Sequence, residues 1–186
     1  WHNGGGVNGA TLQRDILHAA SGNASLKLTN ARMGGNFAAV ARDEPYSPRR
    51  HPIVRFDYRV PHDLRVDLVV GLDDGRKVTV KFTDFDHTWP VIGEFPDIQQ
   101  DLKWHQAQMN LLKALSAHGA GDQFVTSLTF ASGGFPGVSE GLTWWIDNFT
   151  VFARIQPQQS DRSKPGGKVL SPAPDTAACP DEMRVT

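Results

Sequence analysis

The run Asp84-Phe85-Asp86-His87-Thr88-Trp89 brings two carboxylates and an imidazole together. With Glu94, Asp97 or His105 such a set could hold a metal or form an acid/base pair. It could equally offer hydrogen-bonding groups to a polar ligand. Seven histidines are scattered without a His-x-x-x-His pair or a paired-cysteine spacing, which argues against zinc. The lone Cys179 stands in a Pro-rich stretch without a nearby histidine, so it makes a poor nucleophile and permits no internal disulfide. A glycosidase-type carboxylate pair could be drawn from Asp84, Asp86, Glu94 and Glu140, but no spacing singles one out. The expectation is a domain without a catalytic centre of its own.

Aromatic residues offer different chemistry. The C–H face of a sugar ring packs on an aromatic ring while polar neighbours take its hydroxyls, and Trp89, Trp104, Phe135, Trp144 and Tyr46 are candidate platforms. Core packing competes for each of them. Trp89 and Phe135 fall in loop-like sequence, where exposing an aromatic needs a reason, so they and Tyr46 are taken as ligand contacts, with Asp84, Asp86 and His87 beside them.

These side chains must be positioned by strands. Val54, Phe56, Tyr58 and Val60 alternate with Arg55, Asp57 and Arg59, the period-two pattern of a half-buried strand. Val66 to Leu72 and Val78 to Phe82 flank the turn Asp74-Gly75 and predict a hairpin. Arg55, Asp57, Arg59, Arg65, Asp67, Lys77 and Lys81 fall on the non-core phase, as a solvated sheet face or a hydrogen-bonding one. Residues 83–101 lack periodicity and are expected to form a long functional loop. Trp104 to Leu111 predicts a strand and Leu111 to Ala117 a short helical turn. Phe124, Thr126, Leu128 and Phe130 predict a strand with those residues on one face.

In the closing run, Trp145, Phe149 and Val151 share one phase and are expected inside. Trp144, Ile146 and Phe152 take the other, which would turn Trp144 toward a partner or the tail. Asp147 among these apolar residues needs a metal or backbone amide donors. About eight short strands, one helical turn and no βαβ rhythm predict an all-β antiparallel sandwich over residues 1–155. Residues 156–186, rich in Pro, Ser, Gln and Gly, predict a linker or extended tail.

The segment Trp144-Trp145-Ile146-Asp147-Asn148-Phe149-Thr150-Val151-Phe152 resembles the last strand of galactose-binding-like jelly rolls, and Ser25-Leu26-Lys27-Leu28 resembles their early strand. The likeness spans roughly residues 20–153. It implies a jelly-roll fold and a non-catalytic carbohydrate-binding module of a secreted multidomain protein. It further implies that Asp147 matches a position that helps hold a structural calcium in many such modules, although the Gly-rich opening offers no clear match for the other ligands. The start at Trp1 fits a piece of a longer chain.

Composition narrows the partners. Nineteen basic and twenty acidic residues give a formal charge of −1 without a basic stripe, which disfavours nucleic acid, and no apolar run is long enough to span a bilayer. The expected partners are carbohydrate and other domains of the parent protein, in a secreted or periplasmic setting. The alternative is a structural domain docking a neighbour through Trp144, Phe152 and the tail. A third reading is a hydrolase or metal-dependent enzyme centred on Asp84, Asp86 and His87.

Overall fold

Alternation of branched or aromatic residues with charged ones lets a strand bury one face and wet the other, and residues 53–59 do so in the computed structural model of the chain. The structure describes residues 1–5, 9–30, 37–83, 89–132 and 141–153. They form an all-β sandwich of two sheets. One has the order β1 (His2–Asn3), β4 (Ala38–Arg42), β10 (Val125–Ala131), β6 (Asp67–Leu72), β7 (Lys77–Lys81) and β8 (Val91–Glu94). The other has the order β2 (Ala10–Asp15), β3 (Ser25–Asn30), β11 (Thr143–Phe152), β5 (Ile53–Arg59) and β9 (His105–Asn110). One helix, α1 (Leu111–Ala117), follows β9, with the Asn110 side chain accepting the Lys113 N–H as its N-cap.

All strand pairs are antiparallel except β7 with β8. The 83–101 segment therefore contains a strand where the sequence predicts only loop. β8 is four residues long, too short for a readable period, and follows Pro90, whose carbonyl accepts the Thr79 N–H at 2.8 Å.

Between the sheets lies an aromatic core in which Phe56 meets Phe82, Phe95 and Phe130 edge to face at 5.1–5.4 Å. Trp144 is fully buried there, with its ring 5.5 Å from that of Phe130. This reverses the expected facing of the closing strand. Trp144 and Ile146 point inward, and Trp145 points out. A β-bulge explains it: Asp147 opposes Asp57 and Thr150 opposes Arg55, so β11 spends one extra residue there. Asn148 takes φ of 50° within it, and beyond it Phe149 and Val151 pack on the core. A single phase cannot describe both halves of such a strand. With Trp144 buried, the docking role expected of it is also excluded.

A second irregularity, between Val125 and Ser127, puts Val125, Leu128 and Phe130 inside and leaves Phe124 half-exposed, contrary to the expected row. Asp67 also departs from its expected solvated phase. It is buried, and its Oδ1 accepts the Phe82 N–H at 2.6 Å.

Candidate functional site

Register assembles three rows across the outer face of the five-stranded sheet. Gln13, Lys27, Trp145 and Arg59 are successive cross-strand partners in the first. Asp147, Asp57 and Gln106 form the second, and Thr150, Arg55 and Gln108 the third. Directly opposed residues share a face, so the rows make one surface of polar side chains around two aromatics, Trp145 and Phe152. Along β11 these two rings are separated by about 20 Å of strand.

Hydrogen bonds and cation–ring contacts hold the rows. The Trp145 indole N–H donates to Asp15 Oδ2 at 2.7 Å, and the Arg59 guanidinium carbon lies 4.8 Å from the Trp145 ring centre. Arg59 Nε donates to the Leu102 carbonyl at 2.7 Å. Asp15 also contacts His18 Nδ1 at 2.9 Å and accepts the Leu17 N–H at 2.7 Å. The bonds from His18, Trp145 and Leu17, in that order, hold its carboxyl well below the usual carboxylate range. In the second row Asp57 Oδ1 accepts from Gln106 Nε2 at 3.0 Å and Oδ2 from Asn148 Nδ2 at 2.6 Å. In the third, the Arg55 guanidinium sits 4.9 Å from the Phe152 ring centre.

Asp147 has the amide-donor environment that was one of its two expected settings. Its Oδ2 accepts the Ala20 and Ser21 N–H groups at 3.0 and 3.2 Å, and its Oδ1 that of Asn148 at 2.8 Å. Backbone donors aimed at both oxygens leave little lone-pair capacity for a cation that takes six to eight oxygen ligands. No group of three metal-binding side chains assembles among the described residues. Among the described residues Asp147 therefore stands as an acceptor of amide donors.

Of the other predicted contacts, Trp89 is partly exposed beside the opposite sheet, with Lys77 Nζ 5.3 Å from its ring centre. Tyr46 is only 7% exposed and bridges to Val125, so most of its ring serves the core. Burial pushes its hydroxyl up, against the nearby charge of Arg42, which pulls it down. It borders a cleft of about 260 Å³ with Arg42, His51 and Val151. Asp84, Asp86, His87 and Phe135 lie outside the described residues. His105, once grouped with them, contacts Asp101 at 2.8 Å.

Trp145 is the residue that sequence phase hides; the Asp147-Asn148 pair, whose polar side chains suit a bulge, is the signal that could expose it. The sequence also carries a Gly-x-Ser-x-Gly spacing at Gly137-Val138-Ser139-Glu140-Gly141. Of this span only Gly141 lies within the described residues, just ahead of β11.

The sandwich is similar to the family 30 carbohydrate-binding module of a cellulosomal cellulase of Clostridium thermocellum, with a TM-score of 0.55 at 12% identity. The match covers 83% of this chain and 91% of that one. At this identity the likeness shows the fold, in agreement with the jelly-roll resemblance of the closing strand. No family model matches the sequence, and no curated protein does. No helix among the described residues is long and apolar enough to cross a membrane.

Proposed function

We propose that this chain is a carbohydrate-binding module of an extracellular protein, and that it holds polysaccharide on the outer face of its five-stranded sheet. The observation that carries this is the partly exposed Trp145 at the centre of the sheet, anchored through its indole N–H and bordered by Lys27, Arg59, Asp57, Gln106 and Asn148. A platform with surrounding hydrogen-bonding groups is what a sugar ring requires. The open face runs along several strands, which suits an internal stretch of a polymer better than a single sugar. The carbohydrate-binding module that shares the fold supports the same reading, and its cellulosomal origin supports an extracellular setting. Among the described residues, the carboxylates Asp15, Asp57 and Asp147 of this face are each engaged by hydrogen-bond donors, which suits a binding surface.

Affinity electrophoresis through gels carrying soluble polysaccharides tests this reading. Retardation should appear in at least one gel and be lost in Trp145→Ala, with the unfolding temperature of that variant close to the wild type. Trp89→Ala tests the loop platform separately. Loss of retardation in Trp89→Ala with Trp145→Ala unaffected would move the site to the opposite sheet.

A further inference from the structure

Among the described residues, Lys27, Arg55 and Arg59 stand in no ion pair, although all three lie on the face just described. The carboxylates around them are occupied otherwise. Asp15 is held by His18, Trp145 and the Leu17 amide, Asp57 by Gln106 and Asn148, and Asp147 by backbone amides. Donors within the fold thus take up these acids, while among the described residues the three cations are left without counter-charges.

Two of these cations are also preorganised. The guanidinium carbons of Arg59 and Arg55 lie over Trp145 and Phe152, 4.8 and 4.9 Å from the ring centres, which holds their N–H groups next to the two aromatic rings. Arg59 uses Nε on Leu102. Arg55 Nε is buried without an acceptor among the described residues. Lys27 flanks Trp145 on the side opposite Arg59. A ligand reaching either ring therefore meets guanidinium N–H groups beside the aromatic surface. A carboxylate or sulfate group would meet a bidentate donor.

From this arrangement we infer that the ligand is an acidic polysaccharide, whose carboxylate or sulfate groups pair with Arg59 and Lys27 beside Trp145 and with Arg55 beside Phe152. The inference rests on the sheet face being the glycan-binding surface and adds the charge of its ligand. The opposed acids Asp57 and Asp147 sit between the cationic ends, so the anions of the ligand belong over the ends of the face and its neutral hydroxyls over the middle.

The test measures binding of the full chain to alginate, hyaluronan and the sulfated polymer carrageenan as acidic polymers, and to arabinoxylan and hydroxyethylcellulose as neutral ones, at low and high salt. The acidic polymers should bind more tightly, and their affinity should fall as salt rises. Arg59→Gln and Arg55→Gln should each weaken acidic binding about tenfold, and Lys27→Gln should weaken it measurably. Arg49→Gln removes the same charge from an exposed ion pair with Asp122 and should leave binding unchanged. Circular dichroism confirms that each variant is folded. Neutral polymers bound as well as acidic ones, or acidic binding indifferent to all three face substitutions, would overturn this inference and leave the proposed function standing. Binding to no polymer of either kind would overturn both.

Discussion

Asp15 ties three parts of the molecule together with one carboxylate. It caps the turn after β2 through the Leu17 and His18 amides, contacts the His18 ring and holds the Trp145 indole N–H. Because these donors favour its charged form, its pKa in the folded chain lies below the ordinary value of 3.8. A group depressed in this way contributes stability above its unfolded pKa and loses it as pH falls toward its folded pKa. Asp15→Asn should therefore cost about 1.5–3 kcal/mol at neutral pH, the range for a lost charged hydrogen bond. The gap between wild type and variant should narrow as the pH drops below about 4. Urea unfolding at a series of pH values measures it, and a gap independent of pH would show that the charge of Asp15 contributes nothing.

Among single residues, sequence reading narrows the choices where chemistry is local. Asp147 among apolar neighbours demanded either a metal or amide donors, and amide donors surround it. It failed for Trp144 and Trp145, because two adjacent tryptophans are chemically alike and only the register of β11 decides which is buried.

The strand β11 shows how an element can change phase midway. Before the bulge its even-numbered residues face the core, and after it the odd-numbered Phe149 and Val151 do. Asn148 makes the switch at a positive φ, and its side chain joins β11 to Asp57 and to Ser21. Replacement by Ala or Gly removes those bonds equally, so the difference between the two variants isolates the backbone. Asn148→Ala should be less stable than Asn148→Gly by about 1 kcal/mol, since Gly adopts the left-handed region without a Cβ penalty. Thermal unfolding should separate their midpoints by about 2–4 °C. Equal midpoints would mean that the bulge relaxes when its side chain is lost.

The elements most legible in the sequence were those with a clean two-residue period, β5 and the β6–β7 hairpin with its Asp74-Gly75 turn. β8 was illegible because a four-residue edge strand in a parallel pair has neither length nor alternation to announce it. The inward row of β10 was misread for the same reason as β11, a local register shift.

At the scale of the whole molecule, the two sheets enclose one aromatic core and leave the five-stranded sheet with a polar outer face. Inward residues of β3, β5 and β11 build the core, and their alternates build the candidate site, so the pattern that folds the domain also composes its surface. The sandwich itself followed from periodicity and from the likeness of residues 144–152 to a jelly-roll closing strand. The position of the site did not, because it is made by register: Gln13, Lys27, Trp145 and Arg59 are far apart in sequence and meet only when four strands pair.

That position is open to one direct measurement. Amide and indole resonances of the isotopically labelled chain would be followed by NMR during titration with an oligosaccharide prepared from whichever polymer retards it. The Trp145 indole and the side-chain amides of Asn148 and Gln106 should shift together with a common affinity, while the Trp89 indole stays in place. Shifts confined to Trp89, with Trp145, Asn148 and Gln106 unmoved, would contradict the account and put the ligand beside the six-stranded sheet.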